Sequence, residues 1–92
     1  MQAVFFAGDV LAAGVVFEAQ RLGIRVPAQL AIAASDDNDL MQHLIPPLTT
    51  VRFPRYRIGQ RSAELIVGRL AGEVTGSAHE DLGFEIVQRG ST

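Results

Sequence analysis

The stretch L-A-I-A-A-S-D-D, residues Leu30–Asp37, decides the fold of this chain. A short apolar run that is followed at once by acidic residues is typical of a strand buried in a parallel sheet. We therefore predict a strand over Leu30–Ser35. A second apolar run, Ala3–Ala7, has the same character, and we expect its strand to be buried on both faces of the sheet.

The segment between these two runs predicts a helix. Asp9 follows the first run and can cap the first turn, because aspartate is among the preferred N-cap residues. Gly23 is well placed to end the helix, since glycine readily adopts the left-handed conformation found there. A strand, a helix and a second strand within roughly 30 residues form the repeating unit of parallel α/β sheets. The apolar residues expected on one side of the helix are Val10, Ala13, Val16, Phe17 and Ala19.

The second half of the chain predicts a short helical turn, a strand and a long helix. Any residue of the polar run Asp36–Asp39 could cap a turn that reaches Leu44. Leu48–Arg52 is a third extended run, and Pro54 favours the first turn of a helix that reaches Leu70. This helix is expected to pack by one stripe of its surface. The stripe consists of Ile58, Ser62, Leu65, Ile66 and Leu70.

The end of the chain predicts a loop and a last strand. Gly72 should end the long helix, and a polar loop follows as far as Asp81. Leu82, Phe84 and Ile86 alternate with residues of the opposite face, which is the pattern of a strand.

Composition limits the possible classes of function. The chain has a net charge of −2 and no lysine or cysteine, so thiolate chemistry and disulfides are excluded. The small cluster of Arg52, Arg55, Arg57 and Arg61 is a poor footprint for nucleic acid, which needs a broad basic face. No segment resembles a signal peptide or approaches the ~20 apolar residues of a membrane span. We expect a soluble, cytoplasmic protein without a membrane partner.

Asp36 and Asp37 are the strongest candidates for binding chemistry. A carboxylate at the carboxyl end of a strand can accept hydrogen bonds from neighbouring hydroxyl groups of a sugar, at the edge where parallel sheets place their ligands. The alternative is that these residues only cap the next helical turn.

No other group of residues suggests catalysis or cofactor binding. His43 and His79 are isolated, whereas a metal site needs three or four converging ligands. Sequence motifs of dinucleotide, P-loop and hydrolase sites do not occur. We therefore predict no catalytic residue, no metal, no cofactor and no enzyme activity.

Two further segments of the sequence resemble motifs of a known protein family. Residues 45–50 read I-P-P-L-T-T and residues 89–92 read R-G-S-T, and both resemble the end of a LacI/GalR-family transcriptional regulator. The resemblance runs without gaps from about Val4 to Gly72 and resumes at the C-terminus. It implies an α/β fold: a mostly parallel sheet with flanking helices, forming part of a periplasmic-binding-protein-like (type I) sensor domain.

The resemblance also implies which residues meet the effector. Asp36 matches the aspartate that contacts the effector in this family. Asp37 matches the residue after that aspartate, whose role is more structural. Gly8 stands where the family has an asparagine that touches the effector. If the effector is a sugar acid, Arg55 could pair with its carboxylate in a bidentate fork. Ala34 and Ser35 stand where the family prefers glycine and an aromatic residue.

The partners follow from the same resemblance. Ala13, Leu40 and Leu44 match positions that contribute to dimer contacts between sensor domains, so we expect a homodimer. Residues 1–92 would be the C-terminal fragment of a sugar-sensor and dimerisation domain that binds a small-molecule effector, a sugar or sugar acid. DNA would be bound only through a helix-turn-helix domain absent from this chain. The alternative is a stand-alone α/β interaction module that binds no ligand.

Overall fold

The computed structural model describes residues 2–73 and 80–92 and shows a mixed α/β chain. The chain divides into two compact units, the first made of Met1–Phe53 and Glu85–Thr92 and the second of Pro54–Phe84. The elements in chain order are β1 (Gln2–Phe6), α1 (Asp9–Leu22), β2 (Leu30–Ser35), a 3-10 helix (Asp39–His43), β3 (Thr49–Arg52), α2 (Arg55–Leu70) and β4 (Glu85–Val87).

The first unit contains one sheet of four strands in the order β1-β2-β3-β4. The first two pairings are parallel, with Ala34 of β2 opposite both Phe6 of β1 and Thr50 of β3. The last pairing is antiparallel and places Glu85 opposite Arg52. The sheet is therefore mostly parallel, as predicted, and the predicted limits of β2 are confirmed.

The core of the first unit lies between α1, the sheet and the 3-10 helix. The predicted stripe of α1 is partly wrong, because Val10 and Phe17 are exposed and Ala12 is buried instead. Spacings of three and four residues put Ala12, Val16 and Ala19 on one face of a helix. The buried core cluster comprises Ala12, Ala13, Val16, Ile32, Ala34, Met41, Leu44 and Leu48.

Strand β1 is less buried than the sequence predicts. Val4 and Phe6 pack against the core, whereas Phe5 is 59% exposed. The prediction of burial on both faces is wrong for β1, since successive side chains point to opposite faces and β1 lies at the edge of the described sheet.

The ends of α1 are set by two glycines. Gly8 precedes the helix and no side chain caps it, so the prediction that Asp9 is the cap is wrong. Asp9 is the first helical residue, and its Oδ2 atom accepts a hydrogen bond from the Asn38 backbone N–H over 2.8 Å. Its charge still suits the positive end of the helix dipole. Gly23 ends the helix at φ 73°, as predicted.

The polar run after β2 contributes one cap. Asn38 caps the 3-10 helix, accepting a hydrogen bond from the Leu40 N–H over 3.1 Å. Asp36 and Asp37 do not cap it, so the capping interpretation of this acidic pair is wrong. β3 begins at Thr49, one residue later than predicted, and Leu48 before it is fully buried in the core.

The second unit consists mainly of α2. The helix ends at Leu70 as predicted, and Gly72 follows with φ 75°. Gly68 is its one buried residue, so the predicted apolar stripe is not buried within the described residues. The Arg61 guanidinium pairs with Glu80 over 2.7 Å and with Glu64 over 3.0 Å. No helix in the described ranges is long and apolar enough to cross a membrane.

The last strand is shorter than predicted. It begins at Glu85 rather than Leu82, because Gly83 adopts φ 82° in a turn that interrupts the extended backbone. The Asp81 carboxylate stabilises this turn by accepting a hydrogen bond from the Gly83 N–H over 2.7 Å. Residues 74–79, which include most of the predicted loop and His79, lie outside the described ranges.

The C-terminal residues complete the sheet where β3 begins. The Ser91 hydroxyl accepts a hydrogen bond from the Thr49 N–H over 2.8 Å and donates one to the Ile32 carbonyl over 2.5 Å. The Ser91 backbone carbonyl accepts a hydrogen bond from the Ile32 N–H over 2.9 Å. The Ser91 backbone N–H donates one to the Pro47 carbonyl over 3.0 Å. Ser91 is fully buried and therefore joins β2, β3 and the chain end.

Replacing Ser91 by alanine should destabilise the first unit. The change removes a buried donor and acceptor and leaves backbone groups of Thr49 and Ile32 without this partner, which should cost about 1–3 kcal/mol. Urea unfolding followed by circular dichroism measures the loss. Ser62→Ala, at an exposed position of α2, is the matched control. Equal unfolding midpoints for the two variants would contradict this role of Ser91.

Candidate functional site

Two of the three predicted effector residues, Gly8 and Asp36, lie at the carboxyl edge of the parallel strands. Gly8 and Asp36 each stand two residues beyond the paired residues Phe6 and Ala34 of β1 and β2. The hydrogen bond between Asp9 and the Asn38 N–H joins the loops that follow these strands. This edge is where open parallel sheets bind ligands.

Asp37 is held by two arginines. The Arg89 guanidinium forms a bidentate pair with the Asp37 carboxylate. The distances are 2.9 Å from Nη1 to Oδ1 and 3.2 Å from Nη2 to Oδ2. Arg52 donates from Nε to Oδ2 over 2.8 Å. The Asp37 side chain is only 6% exposed. The hydrogen bond from Arg89, assisted by that from Arg52, lowers the pKa of Asp37 to about 2 although burial opposes this shift.

Arg52 extends this group of charges to a fourth residue. Its Nη1 atom lies 2.9 Å from Oε1 of Glu85, and its own pKa is raised chiefly by the hydrogen bond to Asp37. We call Arg89, Asp37, Arg52 and Glu85 the charge network. Arg52 is one residue before the end of the first unit's longer segment, and Glu85 is the residue at which the chain re-enters that unit.

Asp36 sits between fixed neighbours. Its φ is 70°, in the left-handed region that costs most non-glycine residues on the order of 1 kcal/mol. Asp37 is bound by the arginines, and the Asn38 N–H is bound by Asp9. Asp36 is half-buried, and over residues 2–73 and 80–92 its carboxylate has no hydrogen-bond partner. The arrangement presents an acceptor group at the sheet edge.

Gly8 leaves space at the same edge. A Cβ atom built at this position would meet no atom within 4 Å, and its φ of 160° is extended backbone that other residues also adopt. Arg55, the third predicted effector residue, is the first residue of α2 and belongs to the second unit, where its side chain is exposed.

The three predicted dimer residues lie together. They line an apolar groove of about 300 Å³ between α1 and the 3-10 helix. Leu40 is 65% exposed, whereas Ala13 and Leu44 are buried at the base. We call this surface the α1 groove. It is lined by Ala13, Phe17, Gln20, Leu40, Met41, His43, Leu44 and Ile45. In the part of the chain that is described, no group of histidine and acidic residues could hold a metal ion.

The model of the periplasmic binding protein-like domain matches residues 1–92. The chain belongs to this family. It is 41% identical over 90 residues to the HTH-type transcriptional repressor CytR of Escherichia coli K12, which covers 98% of this chain and 26% of CytR. It is 39% identical over 89 residues to the HTH-type transcriptional regulator GntR of Pseudomonas aeruginosa, covering 97% and 26%. The chain thus spans about a quarter of the length of these relatives.

Solved structures agree with the sequence comparison. A LacI family transcriptional regulator from Mycobacterium smegmatis is 33% identical with a TM-score of 0.87, over 99% of this chain and 33% of that one. The transcriptional regulator CelR in complex with cellobiose is 32% identical with a TM-score of 0.90, over 98% and 28%. These matches confirm the LacI/GalR resemblance and the predicted fold class. The relatives are regulators of transcription rather than enzymes.

Sequence reasoning missed two parts of this edge. Arg89 belongs to the R-G-S-T ending, yet nothing in the spacing predicts its pairing with Asp37, which is 52 residues away. The local pattern predicts a helix cap for Asp9, whereas its hydrogen-bond partner is the backbone of Asn38, 29 residues away. Both contacts depend on how the strands are placed side by side, which local patterns do not encode.

The charge network should make the first unit sensitive to acid. The folded pKa of Asp37 is about 2, below its ordinary 3.8. Its contribution is therefore complete above pH 4 and is lost as the pH falls from about 4 to about 2. A depression of this size corresponds to on the order of 2 kcal/mol. Denaturant unfolding at a series of pH values measures it.

Asp37→Asn should remove this part of the pH dependence. Glu18→Gln is the matched control, because Glu18 also pairs with an arginine, Arg21, but at an exposed position of α1 where such pairs contribute little. An Asp37→Asn variant with the same stability slope below pH 4 as the wild-type chain would refute the assignment.

Proposed function

We propose that this chain is the C-terminal part of the effector-sensing and dimerisation core of a cytoplasmic LacI/GalR-type transcriptional regulator. A sugar or sugar acid binds at the carboxyl edge of the sheet, and this binding modulates the attachment of the whole regulator to DNA. DNA is bound by a helix-turn-helix domain outside these 92 residues. Identity of about 40% to transcriptional regulators over nearly the entire chain supports this assignment.

The main support for this proposal is the position of the Asp36 carboxylate at the sheet edge. Its carboxylate is half-buried and lacks a hydrogen-bond partner among the described residues, while both following residues are anchored. An ionised carboxylate accepts hydrogen bonds through two oxygens and can meet two adjacent hydroxyl groups of a sugar. Hydrogen bonds to a charged acceptor are also stronger than those between neutral groups. Asp36 is therefore suited to bind a polyhydroxylated ligand.

Gly8 and Arg55 are the other two residues that we propose meet the effector. The space beside Gly8 admits a ligand group where a side chain would otherwise stand. Arg55 is proposed to bind the carboxylate if the effector is a sugar acid, because a guanidinium matches that group with two parallel hydrogen bonds. Glycine offers no side-chain donor, so more of the binding energy would then rest on Asp36.

The charge network supports a switching role for the site. Arg52 contacts Asp37, next to the proposed ligand, and also Glu85, where the chain re-enters the first unit. A ligand at Asp36 would thus lie next to Asp37 and its charge network. An effector can shift a conformational balance only through different affinity for the two states. Contacts of the ligand beside the charge network are proposed to provide that difference.

Asp36→Asn should weaken effector binding. The change removes the charge and one acceptor while it preserves size, so affinity for a bound sugar should fall about tenfold or more. Isothermal titration against neutral sugars and sugar acids measures this. Asp39→Asn is the matched control, because Asp39 is exposed on the 3-10 helix. Unchanged affinity in Asp36→Asn would remove this residue from the site.

Titration of Arg55→Ala tests the sugar-acid part of the proposal. Affinity for a sugar acid should fall while affinity for a neutral sugar changes little, because only the former presents a carboxylate. Unchanged affinity for the sugar acid would remove Arg55 from the site. If no ligand of either class binds the wild-type protein, the stand-alone interaction module becomes the better description.

The α1 groove is the proposed dimer contact. Leu40 projects into solvent, and the groove behind it is lined mainly by apolar residues. Two copies that bring this surface together would remove these side chains from water, which favours association. Ala13 and Leu44 would then form the base of the contact.

Leu40→Asp should weaken the dimer without unfolding the chain. The residue is 65% exposed, so the fold tolerates a charge there, whereas a charge facing a second apolar surface loses its hydration. Light scattering should show a shift from dimer to monomer. Val10→Asp, at an exposed apolar residue of α1 outside the groove, is the control. A dimer that survives Leu40→Asp would contradict this placement.

A further inference from the structure

We propose that Arg89 is a positioning residue of the effector site: through the carboxylate of Asp37, it holds the backbone of Asp36 in the conformation that presents its side chain to a ligand. The inference rests on the proposed function of Asp36. It adds a role for the C-terminal segment, which supplies no atom to the ligand itself.

The first argument is the backbone of Asp36. A left-handed backbone outside glycine costs free energy, although less for aspartate than for most residues, and Asp36 has φ 70°. The fixing contacts lie on the next two residues: the carboxylate of Asp37 is bound by arginines, and the N–H of Asn38 is bound by Asp9. Asp36 is therefore fixed by its neighbours and leaves its own carboxylate available.

The second argument is that Arg89 is itself rigid. Its Nη1 atom also donates to the Leu48 carbonyl over 2.8 Å. Its backbone N–H donates to the Thr49 hydroxyl over 2.9 Å. Two residues further on, Ser91 is fully buried between β2 and β3. The Arg89 side chain is 13% exposed. Its backbone and its guanidinium are both bound to residues where β3 begins, Thr49 and Leu48.

The third argument separates Arg89 from Arg52. Both arginines contact Asp37, but the Arg52 side chain is 50% exposed and is shared with Glu85. Exposed ion pairs contribute little because water competes for both partners. A fork of two parallel hydrogen bonds from a buried guanidinium fixes the orientation of a carboxylate. Arg89 therefore determines the orientation of Asp37.

Nuclear magnetic resonance tests the positioning without any ligand. A positive φ brings the N–H and Hα protons of one residue close together, so the wild-type chain should show a strong intraresidue nuclear Overhauser effect at Asp36. Arg89→Gln should weaken this signal, and Arg89→Lys, which keeps the charge but loses the fork, should retain part of it. Arg21→Gln is the matched control, because Arg21 pairs with Glu18 at an exposed site of α1.

Several outcomes of this experiment would overturn the proposal. A folded Arg89→Gln chain with the full wild-type signal at Asp36 would do so. If Arg89→Gln does not fold, the same measurement on Arg89→Lys decides, and an unchanged signal there has the same meaning. A signal weakened equally in the Arg21→Gln control would show a general effect of lost charge.

Binding then tests whether the fixed conformation matters to a ligand. Cellobiose and D-gluconate, one neutral sugar and one sugar acid, serve as the titrated probes. Arg89→Gln should weaken binding about tenfold, in the same direction as Asp36→Asn, although Arg89 does not contact the ligand. Full affinity in Arg89→Gln together with a weakened signal at Asp36 would overturn the positioning role.

The two proposals can fail separately. If neither probe binds the wild-type protein, the effector site itself is contradicted for these ligands, whatever the magnetic resonance signal shows. If the probes bind and Asp36→Asn abolishes binding while Arg89→Gln does not, the effector site stands and the role of Arg89 is wrong.

Discussion

The ion pair between Arg89 and Asp37 is the interaction on which the rest of the carboxyl edge depends. The side chains of Arg89 and Asp37 are only 13% and 6% exposed. Loss of Asp37 would leave a guanidinium with little access to water, and loss of Arg89 would leave Arg52 as the arginine that pairs with Asp37. The pair joins the last residues of the chain to the loop after β2. The geometry of Asp36, between Asp37 and the end of β2, therefore depends on the C-terminal segment.

The C-terminal segment acts through two kinds of contact. Ser91 supplies backbone-like hydrogen bonds to β2 and β3 at the start of β3. Arg89 extends from the same segment to Asp37. One set of contacts joins the strands and the other holds the carboxylate of Asp37, so both come from the same short segment, Arg89–Thr92.

The two units differ in how many of their apolar side chains are buried by the described residues. In the first unit, small and branched residues of α1 and β2 close a core around Ile32 and Leu48. In the second, α2 keeps Tyr56, Ile66 and Leu70 exposed. A helix gains most of its stability from packing of an apolar face rather than from propensity. The described residues therefore leave much of the apolar surface of α2 uncovered.

The sequence by itself determined the order of strands and helices, the limits of β2, the glycines that end the helices and the family, because these depend on local periodicity, turn chemistry and contiguous motifs. The tertiary structure alone decided which side chains and backbone groups pair: Arg89 with Asp37, and Asp9 with the Asn38 N–H. It also decided the exposure of Phe5 and the left-handed backbone of Asp36. These features arise when segments far apart in the chain are brought together, and no local pattern specifies which partners will meet.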